Sequence, residues 1–135
     1  MTLMSTTGEA QEEQVRRLLR DQIVRLWNGG ELHLVRRNYA PDVIDHMPVP
    51  GQPRGLDGME DVVRAFHTAM PDLRMTLHDA IAQGDLGCDA WTLTGTHTGP
   101  LFGRPPTGRA VRIDGIDMVR VADGQVRELW HVEEL

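Results

Sequence analysis

The spacing of the hydrophobic residues changes near Pro71. Before this point, apolar residues recur every three to four positions, which is typical of helices that pack on one side. After it, they alternate with polar residues, which is typical of strands. A chain with helices first and strands afterwards favours an α+β fold with antiparallel strands over repeated strand–helix–strand units. We therefore expect one domain over residues 1–135, with helices packed on a sheet.

Three helices are predicted in the first half, over residues 11–27, 31–39 and 57–70. Asn28-Gly29-Gly30 ends the first helix, because glycine adopts the left-handed conformation that closes helices. Pro41 and Pro71 limit the other two, because the residue before proline disfavours helical angles. Residues 1–10 are small and polar, and we expect them to be frayed.

Five strand candidates accompany these helices. The segment VIDHMPVPGQPRG contains a short strand that leads into a loop rich in proline and glycine. Four longer strands follow residue 72, and the last two flank Asp123-Gly124. We expect these four strands to form an antiparallel meander.

Composition excludes several classes of function. The net charge of −6 argues against binding to a phosphate backbone, so we expect no nucleic-acid partner. Cys88 is the single cysteine, which allows no disulfide within the chain and provides no zinc-ligand pattern, so no metal is expected. No apolar run is long enough to span a bilayer, and the first residues lack a leader pattern. We expect a cytoplasmic protein without a membrane partner.

The register of the closing hairpin decides which of its side chains share a face. A two-residue Asp123-Gly124 loop would place Arg120 opposite Arg127, two like charges. A three-residue loop, with Gly124 in the left-handed conformation, would instead pair Arg120 with Glu128. We therefore favour the three-residue loop.

This register brings Asp117 and His131 together on one face of the hairpin. The opposite face carries four apolar residues, Ile116, Met118, Trp130 and Val132. If helices cover the face with Asp117, the apolar face stays exposed, and a patch of this kind is typical of an oligomer interface. The sequence therefore predicts a homodimer or homotetramer that assembles through the outer face of the sheet.

Four segments together resemble the SnoaL-like polyketide cyclases of the nuclear-transport-factor-2-like (NTF2-like) superfamily. They are WNGGELHLVRRNYAPDVIDHMPVPG, GLDGMEDVVRAFHTAMPDLRM, TGTHTGPLFGRPPTGR and IDMVRVADGQVRELWHVEEL. The resemblance covers the chain from about Trp27 to the end. It implies a conical barrel in which three helices pack on the concave face of a strongly curved, mostly antiparallel sheet and leave a deep apolar pocket. It also implies a cofactor-free enzyme of secondary metabolism, such as antibiotic biosynthesis.

The resemblance also points to two catalytic residues. The acid/base aspartate of those cyclases aligns with His131, and a pocket histidine aligns with Asp117, so the two residue types are exchanged here. Asp117 could hold one ring nitrogen of His131 while the other nitrogen transfers a substrate proton. Alternatively, an apolar pocket would make Asp117 itself the base. A purely structural alternative is a cross-strand hydrogen bond that locks the hairpin.

Five further residues are candidates for contact with a hydrophobic, polyketide-like substrate: His46, Trp91, His97, Val119 and Leu129. His97 precedes the proline-rich loop and either lines the pocket mouth or satisfies backbone groups of that loop. His46 follows the same reasoning at the pocket entrance. Trp91 is either pocket wall or core. Val119 and Leu129 share the face of Asp117.

The predicted activity is intramolecular aldol cyclisation of a polyketide intermediate, without a cofactor. A hydroxylase-like, epoxide hydrolase or isomerase activity in the same pocket is an alternative, because a fold does not choose a reaction. Another alternative is a non-catalytic module that binds a small molecule. In that case side chains would fill the pocket, or Asp117 and His131 would be sealed from solvent.

Overall fold

The computed structural model describes residues 3–134 and contains the α+β order that the sequence predicts. The helices are α1 (Leu3–Asp21), which continues into a π-helical segment (Gln22–Asn28), α2 (His33–Asn38) and α3 (Gly55–Ala69). The strands are β1 (Tyr39–Asp45), β2 (Arg74–Gln83), β3 (Leu86–Thr96), β4 (Ala110–Ala122) and β5 (Gln125–Glu134). None of the helices within residues 3–134 is long and apolar enough to cross a membrane.

The five strands form one sheet in the order β1-β5-β4-β3-β2. Strands β2 to β5 pair antiparallel with their neighbours, and β1 joins the edge of β5 in parallel. The helices cover one face of this curled sheet, where α1 contacts β2 and β3 and α3 contacts β1. The expected α+β class, with a mostly antiparallel sheet and helices on its inner face, is confirmed.

The helix boundaries differ from the prediction at the beginning of the chain. Helix α1 begins at Leu3, so residues 3–10 are helical where fraying was expected, and residues 1–2 lie outside the described part. This segment contains no proline and only one glycine, which costs a helix about 1 kcal/mol. Helix α2 ends before Tyr39, whose backbone is already extended.

The inner face of the sheet carries two apolar clusters. One is built on Val15 and Leu19 of α1 with Val119 of β4, and the other on Trp91 and Ile113. On the inner face of β4, Asp117 lies between these two clusters. Three of the buried polar side chains, Gln22, Asp89 and Asp117, belong to elements that meet here. The core is therefore interrupted by a buried polar layer.

The closing hairpin has the predicted pairing but a different turn. Asp123 and Gly124 both have positive φ, 54° and 74°, and form a two-residue loop of the primed type. The register shifts beyond the loop, where an extra residue, Arg127, forms a bulge before Arg120 pairs with Glu128. The predicted three-residue loop is thus wrong, and the bulge restores the charge pairing that the prediction required.

Candidate active site

Asp117 is a buried carboxyl group that faces Gln22 and the helices, with an exposed fraction of 4%. Its Oδ2 accepts hydrogen bonds from Gln22 Nε2 at 2.9 Å and from Trp91 Nε1 at 3.0 Å. Gln22 is itself oriented by the hydroxyl of Tyr39, which donates to Gln22 Oε1. The carboxyl group of Asp117 is therefore held in one orientation by donors from a helix and a strand.

Two local features of the chain bring these donors to Asp117. Gln22 is the first residue of the π-helical segment, a distortion that is frequent at functional sites. Gly115 lies one inward position before Asp117 on β4, and a Cβ atom there would overlap the indole of Trp91. The glycine thus allows the indole to lie across β4 and direct its N–H at Asp117.

Asp89 is a second buried carboxyl group beside Asp117. The two residues are direct partners on β3 and β4, and the backbone N–H of Asp117 donates to Asp89 Oδ1 at 3.2 Å. Burial and the neighbouring charge of Asp117 raise the pKa of Asp89 to about 8. Burial also raises the pKa of Asp117 to about 6, against a hydrogen bond from Asp89 and the charge of His131.

His131 lies closer to solvent, between two other carboxyl groups. Its Nε2 contacts both carboxyl oxygens of Asp45, at 3.0 and 3.2 Å, and its Nδ1 contacts Glu133. The side chains of His131 and Asp45 are 16% and 10% exposed, and that of Glu133 is 31% exposed. Burial alone would lower the pKa of His131, but the hydrogen bonds that its ring donates to Asp45 and Glu133 raise it to about 10.

Asp45 shows the reciprocal effect. Burial would raise its pKa, but the hydrogen bonds from His131 and from the backbone of Met47 lower it below its usual value. Asp45 and His131 therefore form a carboxylate–imidazolium pair. Such a ring donates hydrogen bonds and can act as an acid at neutral pH.

The two predicted catalytic residues are cross-strand neighbours, as expected from the register. None of the hydrogen bonds in the described part of the chain joins them, because His131 uses its ring nitrogens for Asp45 and Glu133. Sequence reasoning missed Asp45, the partner of His131. It also missed Asp89, although alternation along CDAW places this residue on the same face as Trp91.

The predicted substrate-binding histidines lie apart from this pair. His46 is on the outer side of the sheet, where its ring stacks on Trp130 at 4.5 Å and contacts Glu128 at 3.1 Å. His97 contacts the hydroxyl of Thr107 at 3.2 Å, and its backbone bonds the same loop. His46 therefore does not line the inner face, and His97 serves the proline-rich loop, one of its two expected roles.

The three apolar candidates are core residues in this structure. Val119 and Leu129 are buried in the cluster with α1, because that helix covers the part of the inner face on which they lie. Trp91 is also buried, with its indole N–H on Asp117. Of two open cavities, the larger, of about 420 Å³, is lined by Ile116 of the outer face and also by Trp91, so Trp91 is both core and cavity wall. The smaller, of about 180 Å³, is lined by Met118 of the outer face. Neither cavity is lined by Asp117 or His131.

Histidine and carboxylate side chains also bind metals, and His131 has two carboxylates beside it. Within the residues that the structure describes, no group of three or more histidine, cysteine or acidic side chains has an arrangement that could hold a metal ion. The arrangement around His131 is instead that of charge-assisted hydrogen bonds.

The chain is similar to known proteins in both sequence and structure. The model of the SnoaL-like polyketide cyclase family matches residues 17–135. IdmH of Streptomyces antibioticus, a candidate polyketide cyclase, is 30% identical over 87% of this chain and 90% of its own, with a TM-score of 0.74. AclR of Streptomyces galilaeus, a candidate hydroxylase, is 25% identical over 91% and 90%, with a TM-score of 0.77.

A third structure is similar in fold. A candidate SnoaL-like cyclase of Jannaschia sp. CCS1 has a TM-score of 0.81 at 22% identity, over 91% of this chain and 87% of its own. None of the curated proteins matches the sequence.

Proposed function

The chain belongs to the SnoaL-like polyketide cyclase family, and we propose that it closes a ring in a polyketide intermediate by intramolecular aldol addition. One observation carries this proposal. Asp117 and His131 lie opposite each other, with pKa values of about 6 and about 10. At neutral pH the first is therefore a carboxylate and the second an imidazolium, which are the states that a base and an acid need.

In the proposed reaction, Asp117 takes the proton from a carbon between two carbonyl groups of the substrate, and an enolate forms. The enolate carbon then attacks a ketone or aldehyde carbon of the same molecule, and a carbon–carbon bond replaces the carbonyl π bond. His131 gives its proton to the resulting alkoxide oxygen. Transfer of the first proton from Asp117 to His131 restores both groups, so the substrate is isomerised and no cofactor is required.

The chemistry of the substrate allows the aldol addition to proceed by proton transfer alone. A proton between two carbonyl groups is already acidic, and a folded polyketide holds its reacting ends close together. None of the 135 residues is lysine, so the covalent route through a lysine Schiff base is not available within this sequence. The enolate route needs only groups that accept and donate protons.

Access to the site depends on Glu133. It is the most exposed member of the cluster and occupies Nδ1 of His131. In the proposed mechanism, the substrate carbonyl displaces Glu133 and takes the Nδ1–H hydrogen bond, while Asp45 keeps its hold on Nε2. The reacting part of the substrate then has to reach Asp117 beyond the ring, which requires side chains of the inner face to move apart.

The test is turnover of linear poly-β-carbonyl esters of different lengths, followed by chromatography and mass spectrometry of the products. We expect a cyclised product of unchanged mass, and at least about a 100-fold lower kcat for Asp117→Asn and for His131→Gln. The matched controls are Asp79→Asn and His33→Gln, two exposed residues of the same types. Full turnover by both site variants would contradict the mechanism.

A second candidate is a module that binds a polyketide without converting it. The observation that favours it is the burial of Asp117, which leaves the proposed base almost without solvent contact. In this case polyketide esters would raise the melting temperature of the protein, with no product formed. Asp117→Asn would then change stability and ligand affinity only.

A further inference from the structure

A buried carboxyl group beside the proposed base has no role in the mechanism so far. Asp89 is 3% exposed and Asp117 is 4% exposed, and they are paired directly across β3 and β4. Alternation places both side chains on the inner face, and the backbone N–H of Asp117 donates to the carboxyl group of Asp89. The further role of Asp89 rests on the proposed function, because it concerns the same base.

The hydrogen bonds of the two carboxyl groups are unequal. Asp117 Oδ2 accepts from Gln22 and Trp91. Asp89 accepts one backbone N–H at Oδ1, and its Oδ2 is buried without a partner. A buried carboxylate oxygen without a donor is costly, whereas a protonated oxygen becomes a donor itself. The unpartnered Oδ2 of Asp89 is thus the atom that gains most from a proton.

Two adjacent carboxylates in an apolar interior repel each other, so a pair of this kind holds one proton between its members. The donors around Asp117 favour its ionised form, and the lack of donors at Asp89 Oδ2 favours a proton on Asp89. We propose that Asp89 is a positioning residue, which carries this proton and donates its O–H to Asp117, and so keeps the proposed base ionised and oriented in a buried place.

Other ionisable groups surround the pair and bear on its titration. Tyr39 and Asp45 approach from β1, and His131 and Glu133 from β5. Cys88 comes directly before Asp89 on β3, and Gln22 of the helical layer carries no charge. Only His131 among these groups carries a positive charge, and it acts on Asp117. This charge further favours ionisation of Asp117 rather than Asp89.

The first test needs no substrate. Aspartate labelled with ¹³C at the carboxyl carbon allows each group to be titrated by NMR, with Asp89→Asn and Asp117→Asn used for assignment. We expect one buried carboxyl that is still protonated at neutral pH, and its signal should disappear in Asp89→Asn and persist in the control Asp79→Asn. Two ionised buried carboxylates at neutral pH in the unaltered protein would overturn the proposal.

The second test separates a positioning role from simple packing. Asp89→Asn keeps a neutral donor beside Asp117, whereas Asp89→Val fills a similar space without one. We expect the titration of Asp117 to move to higher pH in Asp89→Val and to stay close to its original position in Asp89→Asn. The acid limb of the pH–rate profile should move in the same way, and equal titration of Asp117 in both variants would overturn the proposal.

The two tests also distinguish this proposal from the proposed function. If no polyketide ester is converted, the titration of the unaltered protein still decides whether Asp89 holds the proton. If esters are converted but both carboxyl groups prove to be ionised, the cyclase proposal survives and the role of Asp89 fails. If the Val variant does not fold, the titration of the unaltered protein and of Asp89→Asn remains decisive.

Discussion

Asp117 and His131 lie directly opposite each other on β4 and β5, yet they are held by separate sets of partners. Asp117 is oriented by Gln22 and Trp91, and His131 by Asp45 and Glu133. The carboxylates of Asp45 and Glu133 keep His131 protonated, and the charge of His131 in turn favours the ionised form of Asp117. Separate partners allow each to keep its own protonation state, which a reaction with one proton removed and one delivered requires.

Replacement of Asp45 by asparagine tests whether the Asp45 carboxylate keeps His131 protonated. Without the carboxylate, we expect the pKa of His131 to fall from about 10 towards its usual value of about 6.5. The expected loss in the free energy of unfolding at neutral pH is about 1–3 kcal/mol. NMR titration of the imidazole and chemical denaturation measure these two effects. Asp42→Asn, an exposed aspartate of the same strand, is the control and should change neither.

The same pair predicts how stability depends on pH. The pKa of His131 is raised on folding, so its stabilising contribution is complete below the unfolded pKa of about 6.5. It is lost as the pH rises through the folded pKa of about 10. The pKa of Asp89 is raised as well, to about 8, and stability should also fall between the unfolded value of about 3.9 and this pH. Denaturation midpoints across this range measure the decline, which Asp89→Asn should make shallower.

Replacement of Gln22 by leucine tests the support of the base. The change leaves the buried carboxyl group of Asp117 with one donor fewer and leaves the hydroxyl of Tyr39 without its acceptor. We expect the free energy of unfolding to fall by about 1–3 kcal/mol and the pKa of Asp117 to rise. Gln125→Leu, which removes an exposed amide contact to the backbone of Arg37, should cost under about 0.5 kcal/mol. Equal losses in the two variants would contradict a special role of Gln22.

Replacement of Gly115 by alanine tests whether the Trp91 indole needs the space beside Gly115 to reach Asp117. The new methyl group would overlap the ring of Trp91 and push its N–H away from Asp117. We expect a loss of about 1–3 kcal/mol from overpacking and a shift of the tryptophan fluorescence. Gly8→Ala is the matched control, because its Cβ would enter open space within α1 and should stabilise the helix by roughly 0.5–1 kcal/mol.

Local pairings were more predictable from the sequence than distant ones. Charge matching across the closing hairpin predicted that Arg120 faces Glu128, and this pairing brought Asp117 opposite His131. The exact turn was not predictable, because a two-residue loop with a bulge gives the same pairing as a three-residue loop. The charge pattern of the hairpin therefore predicted which residues pair, but it did not predict the backbone conformation of the turn that brings them together.

The partners of the two catalytic candidates were missed because they are distant in the chain. Asp45 reaches His131 through the parallel pairing of β1 with β5, which no turn connects. Asp89 reaches Asp117 through β3 and β4, which a 13-residue loop joins without defining a register. The inward face of Val119 was predictable from alternation, but its depth was not, because depth depends on where α1 packs.

The outer face of the sheet leads to the last prediction, a homodimer or larger assembly. Ile116, Met118 and Val132 are exposed there by 50%, 37% and 59%, beside Trp130. An apolar surface of this kind is more stable when a second copy covers it. We expect an assembly at micromolar concentration in sedimentation or light scattering, and Ile116→Glu should dissociate it because a buried, unpaired charge is costly. Val24→Glu, an exposed apolar residue of the helical layer, should leave it intact. A monomeric mass for the unaltered protein would contradict the interface.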